Sequence, residues 1–247
     1  MAQSSKTLNG ILEKIRRIHT QPGAQSLVVF DLDSTLFDVT PRVRQILHDF
    51  AHDPKSQKRF PDLTEKLKKA ETQRADWGVT QAIVRAGLEH APMEFHLALK
   101  DFWTEKFFSN PYLHFDIPYD GAVEFVHSLQ KVGSEIAYLT GRDVERMGTG
   151  SVEVLTKWKF PLDEKKSHLV LKPDKSMNDA EFKSNWFANL PSGKYAKIWF
   201  FENEPVNVNQ VLLEHQHVEV VFFESTHSGK AEAPADLPKV LHYLLNK

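Results

Sequence analysis

The sequence predicts an α/β fold, a doubly wound parallel sheet with a helical module inserted after its first strand. Three observations predict it: short apolar runs, amphipathic helix-length segments between them, and one long interval without a strand. The runs are "SLVVFDLD" (26–33), "SEIAYLTG" (134–141), "HLVLKP" (168–173), "AKIWFFEN" (196–203) and "VEVVFFES" (218–225). Most are apolar at nearly every position, as in parallel strands covered on both faces, rather than alternating.

Each helix-length segment carries start or stop signals. Leu8, Ile11, Leu12, Ile15 and Ile18 mark one face of an N-terminal amphipathic helix, expected to dock on the body. Asp120 can cap a helix whose Val123, Val126 and Leu129 face inward, with Gly133 as its stop. Asp179 can cap "AEFKSNWF", and Pro205 opens "VNVNQVLL". Strand-helix alternation of this kind produces a parallel sheet with helices on both faces.

The rhythm breaks between 36 and 117, where no convincing strand occurs. Thr40-Pro41 opens a helix with Val43, Ile46, Leu47 and Phe50 at helical spacing, and Pro92 opens another with Phe95, Leu99, Phe102 and Trp103. The expected division is therefore a core of 1–35 and 118–247 and a helical domain of 36–117.

Composition excludes several function classes. The 247 residues carry a net charge of −2, with 41% hydrophobic and 26% charged residues, so bulk electrostatics points to neither nucleic acid nor an anionic membrane. The densest basic cluster, Lys66, Lys68 and Lys69, reads as a solvated helix face. Cysteine is absent, which removes disulfides, thiolate metal sites and a cysteine nucleophile, and fits a reducing cytosol. No apolar run approaches the roughly 18 residues of a membrane span, and the first residues lack the apolar stretch of a signal peptide. A cytoplasmic location is the expectation.

Ligands of open α/β sheets bind beyond the carboxyl ends of the strands. The polar residues expected there are Asp31 and Asp33, Thr140-Gly141-Arg142, Lys172, and Glu202-Asn203-Glu204. Adjacent carboxylates repel unless a cation neutralises them, and hard oxygen donors suit Mg²⁺. A hydroxyl, an unobstructed backbone N–H and a guanidinium together suit phosphate. These parts point to metal-assisted phosphoryl transfer.

In these motifs the sequence resembles the haloacid dehalogenase superfamily of phosphohydrolases. "DLDST" (31–35) resembles its Asp-x-Asp-x-Thr motif and "YLTGR" (138–142) its second motif, while 36–117 is similar in position and type to a cap inserted after the first motif. The resemblance implies a Rossmann-like core, Mg²⁺, and hydrolysis of a small phosphorylated metabolite through an aspartyl-phosphate. Asp31 would be the nucleophile. Asp33 would protonate the leaving alcohol, then deprotonate water, and ligate Mg²⁺ through its carbonyl. Thr140 and Gly141 would bind the phosphoryl group. Arg142 would reach phosphate or cap, or pair with Asp143 or Asp120. The motif lysine is Lys183, favoured for its place in the first turn of a helix pointing at the site, or Lys172.

The fourth motif departs from the family's pattern. Glu202-Asn203 stands where two aspartates are usual, so the metal ligands would be Asp31, Asp33, Glu202 and Asn203, with Glu204 turned away toward the following helix. Glu is longer than Asp and Asn is neutral, which weakens or shifts metal preference. That departure supports a rival reading, a weak or inactive member that binds a phosphorylated ligand or a protein partner. A phosphomutase is a third possibility. His48 and His52 lie at i, i+4 but lack an evident third metal ligand. His215 and His217 are expected at the surface. Trp77, Phe102, Trp103, Phe107 and Phe108 could line a substrate pocket, although packing between helices also explains aromatics at such spacing.

Overall fold

The computed structural model describes residues 2–163 and 165–245. Along the chain its strands are β1 (Ser26–Phe30), β2 (Phe37–Asp38), β3 (Ile117–Pro118), β4 (Glu135–Asp143), β5 (Ser167–Lys172), β6 (Lys197–Glu202), β7 (Val218–Phe223) and β8 (Lys239–Val240). Six of them form one parallel sheet in the order β5-β4-β1-β6-β7-β8. The chain winds from β1 outward to β5, then returns to the other side of β1. That reversal opens a crevice between the carboxyl ends of β1 and β6, the place where doubly wound sheets bind ligands.

Alternation along each strand divides the apolar residues between two faces. Val28, Phe30, Tyr138, Trp199 and Phe201 pack with α1 (Ala2–Ile18) and with the helix that precedes β4. Leu27, Val29, Leu139 and Phe200 pack on the other face with Phe182, Phe187, Val208 and Val211. As expected, Leu8, Ile11, Leu12 and Ile15 of α1 are buried against the body. The five long strands were legible because burial, nearly complete in β1, β4, β6 and β7 and partial in β5, keeps an apolar run in each.

Between β1 and β4 lie α2 (Thr40–His52), α3 (Pro54–Arg59), α4 (Pro61–Leu67), α5 (Thr80–Arg85), α6 (Met93–Phe107) and a 3-10 helix, Asn110–Phe115. Val43, Leu47, Phe50, Phe95 and Leu99 belong to a separate apolar cluster here. The expected absence of strands from 36–117 needs correction. β2 and β3 pair antiparallel, Phe37 against Pro118 and Asp38 against Ile117, and draw the two ends of this stretch together. Two-residue strands carry no periodicity, so they leave no sequence signal.

After β3 come α7 (Ala122–Lys131), α8 (Val144–Lys157), α9 (Asp179–Ala188) and α10 (Pro205–Glu214). Two expected caps are displaced by one residue. Asn178, not Asp179, caps α9 by accepting from the backbone N–H groups of Ala180 and Glu181. Gly121, not Asp120, is the N-cap of α7; its φ of 80° suits glycine, and a Cβ would meet the backbone of Tyr243 and Leu244. His215 also departs from expectation: it is buried, with Nε2 2.8 Å from Ser184 Oγ, whereas His217 is exposed.

Candidate active site

Asp31 follows β1 directly, and its backbone N–H donates to Phe201 O of β6 at 3.0 Å. Its carboxylate thus enters the crevice between β1 and β6. Lys183 reaches it from the second turn of α9, donating through Nζ to Asp31 Oδ1 at 2.6 Å and to Glu202 Oε2 at 2.6 Å. All three side chains are buried. Burial, followed by Glu202, pushes the Asp31 pKa up to about 7 against the pull of Lys183. Burial opposes charge on Lys183, but Asp31 and Glu202 outweigh it and raise its pKa. Lys172, the other candidate, donates to Asp179 Oδ1 and Met177 O.

Asp33 lies across the crevice in a second charge cluster. After it the chain turns through Ser34, which takes a φ of 61°, an uncommon conformation for a residue with a Cβ. Ser34 is held there by its N–H to Phe37 O and by Ser225 Oγ donating to its carbonyl. Asp33 Oδ1 accepts from Arg42 Nη2 at 2.6 Å and Arg142 Nη2 at 2.5 Å. The same two nitrogens donate to Asp116 Oδ2 at 2.7 and 2.8 Å, and Arg42 Nε donates to Asp116 Oδ1 at 2.7 Å. The four groups close a ring of two guanidiniums and two carboxylates. Burial alone would raise the Asp33 pKa, but Arg142 and Arg42 outweigh it and hold the carboxyl well below its usual range.

Arg142 thus reaches the inserted stretch 36–117, through Asp116, and pairs with neither Asp143 nor Asp120. Asp143 caps α8 and binds Arg146, and Asp120 lies 3.9 Å from Arg74. Sequence reasoning also missed Arg42 and Asp116. Arg42 borders the apolar stripe of α2, and Asp116 immediately precedes β3. Nothing local marks either residue; their meeting depends on how the stretch after β1 folds back.

Thr140 and Gly141 line the same crevice, where the β4–β5 register shifts between Leu139 and Asp143. Such irregularities re-aim side chains beside active sites. Thr140 Oγ1 accepts from the Arg142 backbone N–H. A Cβ on Gly141 would collide with the Asp179 carboxylate, which Lys172 holds at 2.6 Å.

The end of β6 is more fully occupied than expected. Glu202 Oε1 accepts from the N–H groups of Asn203 and Glu204, and Oε2 accepts from Lys183 and Asn207 Nδ2. Four donors saturate a carboxylate. Asn203 accepts from Thr35 Oγ1 and donates to Thr226 O. Glu204 does not leave the site as expected: it lines the same cavity, and its carboxylate accepts from the Ser228 N–H and hydroxyl rather than turning to α10.

Among the described residues no three His, Asp or Glu side chains converge as a metal-ligand cluster, and His48 and His52 are exposed. The donors near Asp31 nevertheless fit a hard divalent cation that keeps most of its water. Two carboxylates share one ammonium, which leaves negative charge uncompensated, and Mg²⁺ typically takes only one or two protein carboxylates.

A cavity of about 210 Å³ joins both clusters. Asp31, Asp33, Thr140, Gly141, Arg142, Lys183, Glu202 and Asn203 all line it. Trp77, Trp103, Phe107 and Phe108 line it too, whereas Phe102 packs against Phe50 inside the helical cluster.

A doubly wound sheet carrying paired aspartates, a threonine and a buried lysine at its switch point defines a class of α/β hydrolytic enzymes. The model of the haloacid dehalogenase-like hydrolases matches residues 25–155, more than half of the chain. This chain belongs to that family. No curated protein matches it significantly. It is similar to the solved structure of protein tyrosine kinase A from Mycobacterium tuberculosis, at 14% identity over 87% of this chain and 93% of that one, with a TM-score of 0.53. A candidate phosphatase from Clostridium difficile shares 12% identity over 84% and 89%, at 0.53. A subfamily IA hydrolase from Geobacter sulfurreducens shares 14% over 91% and 95%, at 0.50. At such identities the likenesses establish the fold. Among the described residues no helix is long and apolar enough to cross a membrane.

Proposed function

We propose that this chain is a divalent-cation-dependent phosphatase that hydrolyses a small phosphorylated metabolite through an aspartyl-phosphate on Asp31. The observation that carries the reading is the contact of Lys183 with Asp31 Oδ1 at the switch point, with Asp33 and Thr140 on the same cavity. Lys183 orients one carboxylate oxygen and leaves the other free to attack phosphorus. The Asp31–phosphorus bond forms as the bond to the leaving oxygen breaks. Thr140 Oγ1 and the Gly141 N–H are the donors available to the phosphoryl oxygens.

Asp33 has one oxygen committed to two arginines, while Oδ2 takes no hydrogen bond among the described residues. That free oxygen would give a proton to the leaving alcohol and regain one from the attacking water; the two arginines oppose the protonated form that the first step needs. The arginines favour its carboxylate form, the form that removes a proton from the water that hydrolyses the aspartyl-phosphate. Arg142 acts here by holding Asp33, its substrate role being indirect.

Asp31 and the Asp33 carbonyl would hold Mg²⁺, with Glu202 and Asn203 behind them through water. When bound, the cation supplies charge neutralisation between Asp31 and the phosphate. The segment 36–117 is proposed as the cap that covers the cavity and excludes water.

The saturation of Glu202 favours a second reading, a weak or inactive member that binds a phosphorylated ligand. Hydrolysis of 4-nitrophenyl phosphate separates the two. Release of nitrophenol with Mg²⁺, abolished by chelation and by Asp31→Asn, is expected of the phosphatase; release that survives Asp31→Asn would overturn the aspartyl-phosphate. Small phosphoesters should also be hydrolysed faster than phosphopeptides.

A further inference from the structure

Among the described residues, the cavity wall carries six carboxylates and two cations, Lys183 and Arg142. Five of the six carboxylates have a basic partner. Asp33 is bonded to Arg42 and Arg142, and Asp31 and Glu202 share Lys183. Arg85 takes Asp76, and Lys172 takes Asp179 at 2.6 Å. Glu204 is the exception. Its carboxylate accepts only from Ser228, Oε2 from the N–H at 2.9 Å and Oε1 from the hydroxyl at 2.7 Å, and among the described residues no cation pairs with it. Those two bonds fix the group and leave each oxygen able to accept another. The residue is half-buried, so its charge is partly withdrawn from water. Ser34, Thr140, Asn203, Asn207 and Thr226 also line the cavity, but neutral dipoles leave this charge balance as it is.

A divalent cation and a phosphate dianion bring equal and opposite charge, so their arrival leaves Glu204 uncompensated. The rest of the substrate has to meet it. An anionic group there faces a carboxylate with no cation to answer it. A hydroxyl can donate to Glu204 without offsetting its charge. A protonated amine does both, and charge-assisted hydrogen bonds are roughly twice as strong as neutral ones. Val43, Trp77, Trp103, Phe107 and Phe108 share the wall and can cover methylene groups, while aromatic faces also attract a cation. The volume, about 210 Å³, is below the roughly 300–1,000 Å³ usual for drug-sized ligands. It suits a phosphate on a short chain.

Building on the phosphatase reading, we propose that the substrate is the phosphate ester of a short amino alcohol, its ammonium group bound by Glu204. Glu204 is the specificity-determining residue, and the apolar wall covers the carbons between the two charged ends.

Straight-chain phosphates that differ only at the far end test this with Mg²⁺ present. Chains of about three, four and five carbons each carry an amine, its methyl isostere, a hydroxyl or a carboxylate; at these lengths the end group barely alters the leaving oxygen. On the best-fitting chain the amine should exceed the methyl in kcat/KM by about 10–100-fold. The hydroxyl should fall between them, and the carboxylate about tenfold below the methyl. Glu204→Gln keeps the shape and removes the charge, so the amine-to-methyl ratio should fall to within about threefold of one. Glu204→Lys should exchange the preference, carboxylate over amine. Equal turnover of amine and methyl on every chain overturns the proposal. So does a Glu204→Gln variant that slows all substrates alike, because a residue serving only the cation or α10 makes no distinction among end groups.

Calorimetry with the corresponding phosphonates decides the case in which nothing is hydrolysed. Tighter binding of the aminoalkyl than of the alkyl phosphonate, without turnover, sinks the phosphatase reading and supports this one. Turnover indifferent to the end group does the reverse, and absence of both binding and turnover overturns both.

Discussion

The two charge clusters that flank the cavity are built from the same residue types and differ in completeness. Around Asp33, two guanidiniums face two carboxylates, and the ring closes on itself. Around Asp31, one ammonium serves two carboxylates. The first arrangement is electrically satisfied by protein alone and reads as scaffold. In the second, burial and then the neighbouring Glu202 raise the Asp31 pKa to about 7 against the pull of Lys183. One positive charge is missing there, on the side where a cation and a phosphate would be used. Burial raises the carboxyl pKa of Asp31 in one cluster and of Asp116 in the other; charge count separates the clusters, and Asp33, its side chain 28% exposed, is the open edge of the ring.

Removing Asp31 should break this comparison most severely. Asp31→Asn is expected to lower phosphate release by at least about 10³-fold, as for loss of other covalent nucleophiles. It should leave the urea midpoint unchanged or higher, because Lys183 and Glu202 then pair one to one. A large loss of stability with retained activity would reverse the roles assigned to the two clusters.

Arg42→Ala attacks the completed ring. It leaves Asp33 and Asp116 with a single guanidinium and should cost about 3–5 kcal/mol in equilibrium denaturation. Arg42→Met combined with Asp116→Leu should recover much of that loss, since an apolar replacement removes the uncompensated charge. A loss under about 1 kcal/mol for the single variant would mean the ring is not the structural device described.

The charge deficit itself is measured by adding metal. Mg²⁺ at 100 times its dissociation constant should stabilise the wild-type protein by about 2.7 kcal/mol, read as a rise in Tm. The rise should vanish in Asp31→Asn and persist in Arg42→Lys. Equal shifts in all three proteins would place the cation elsewhere.

The smallest expected effect concerns the turn between the clusters. Gly141→Ala forces Asp179 aside and should reduce kcat/KM about tenfold, near 1.4 kcal/mol. Asp179→Gly introduced beside it should restore most of the activity. No recovery would show that the glycine is needed for its backbone and not for space.

Much of the fold and part of the site could be read from the chain. Strands buried on both faces leave long apolar runs, and Asp31, Asp33 and Thr140 follow such runs directly, so their place at the sheet's carboxyl edge is a local matter. Pro205 opening α10 is equally local. The caps at Asn178 and Gly121 escaped because neighbouring residues can play the same part, and only backbone geometry chooses between them. His215 escaped because its burial depends on α9 and α10 packing together over Ser184.

Sequence by itself determined the parallel sheet, the family motifs at its edge, and the carboxylates those motifs carry, because each rests on a run of neighbours. Tertiary structure decided which charges meet. It gave Lys183 and not Lys172 to Asp31, joined Arg42 to Asp116 across 74 residues, and filled Glu202 with four donors. Pairing of buried charges acts over a few ångströms in space and is indifferent to separation along the chain. No local pattern encodes it.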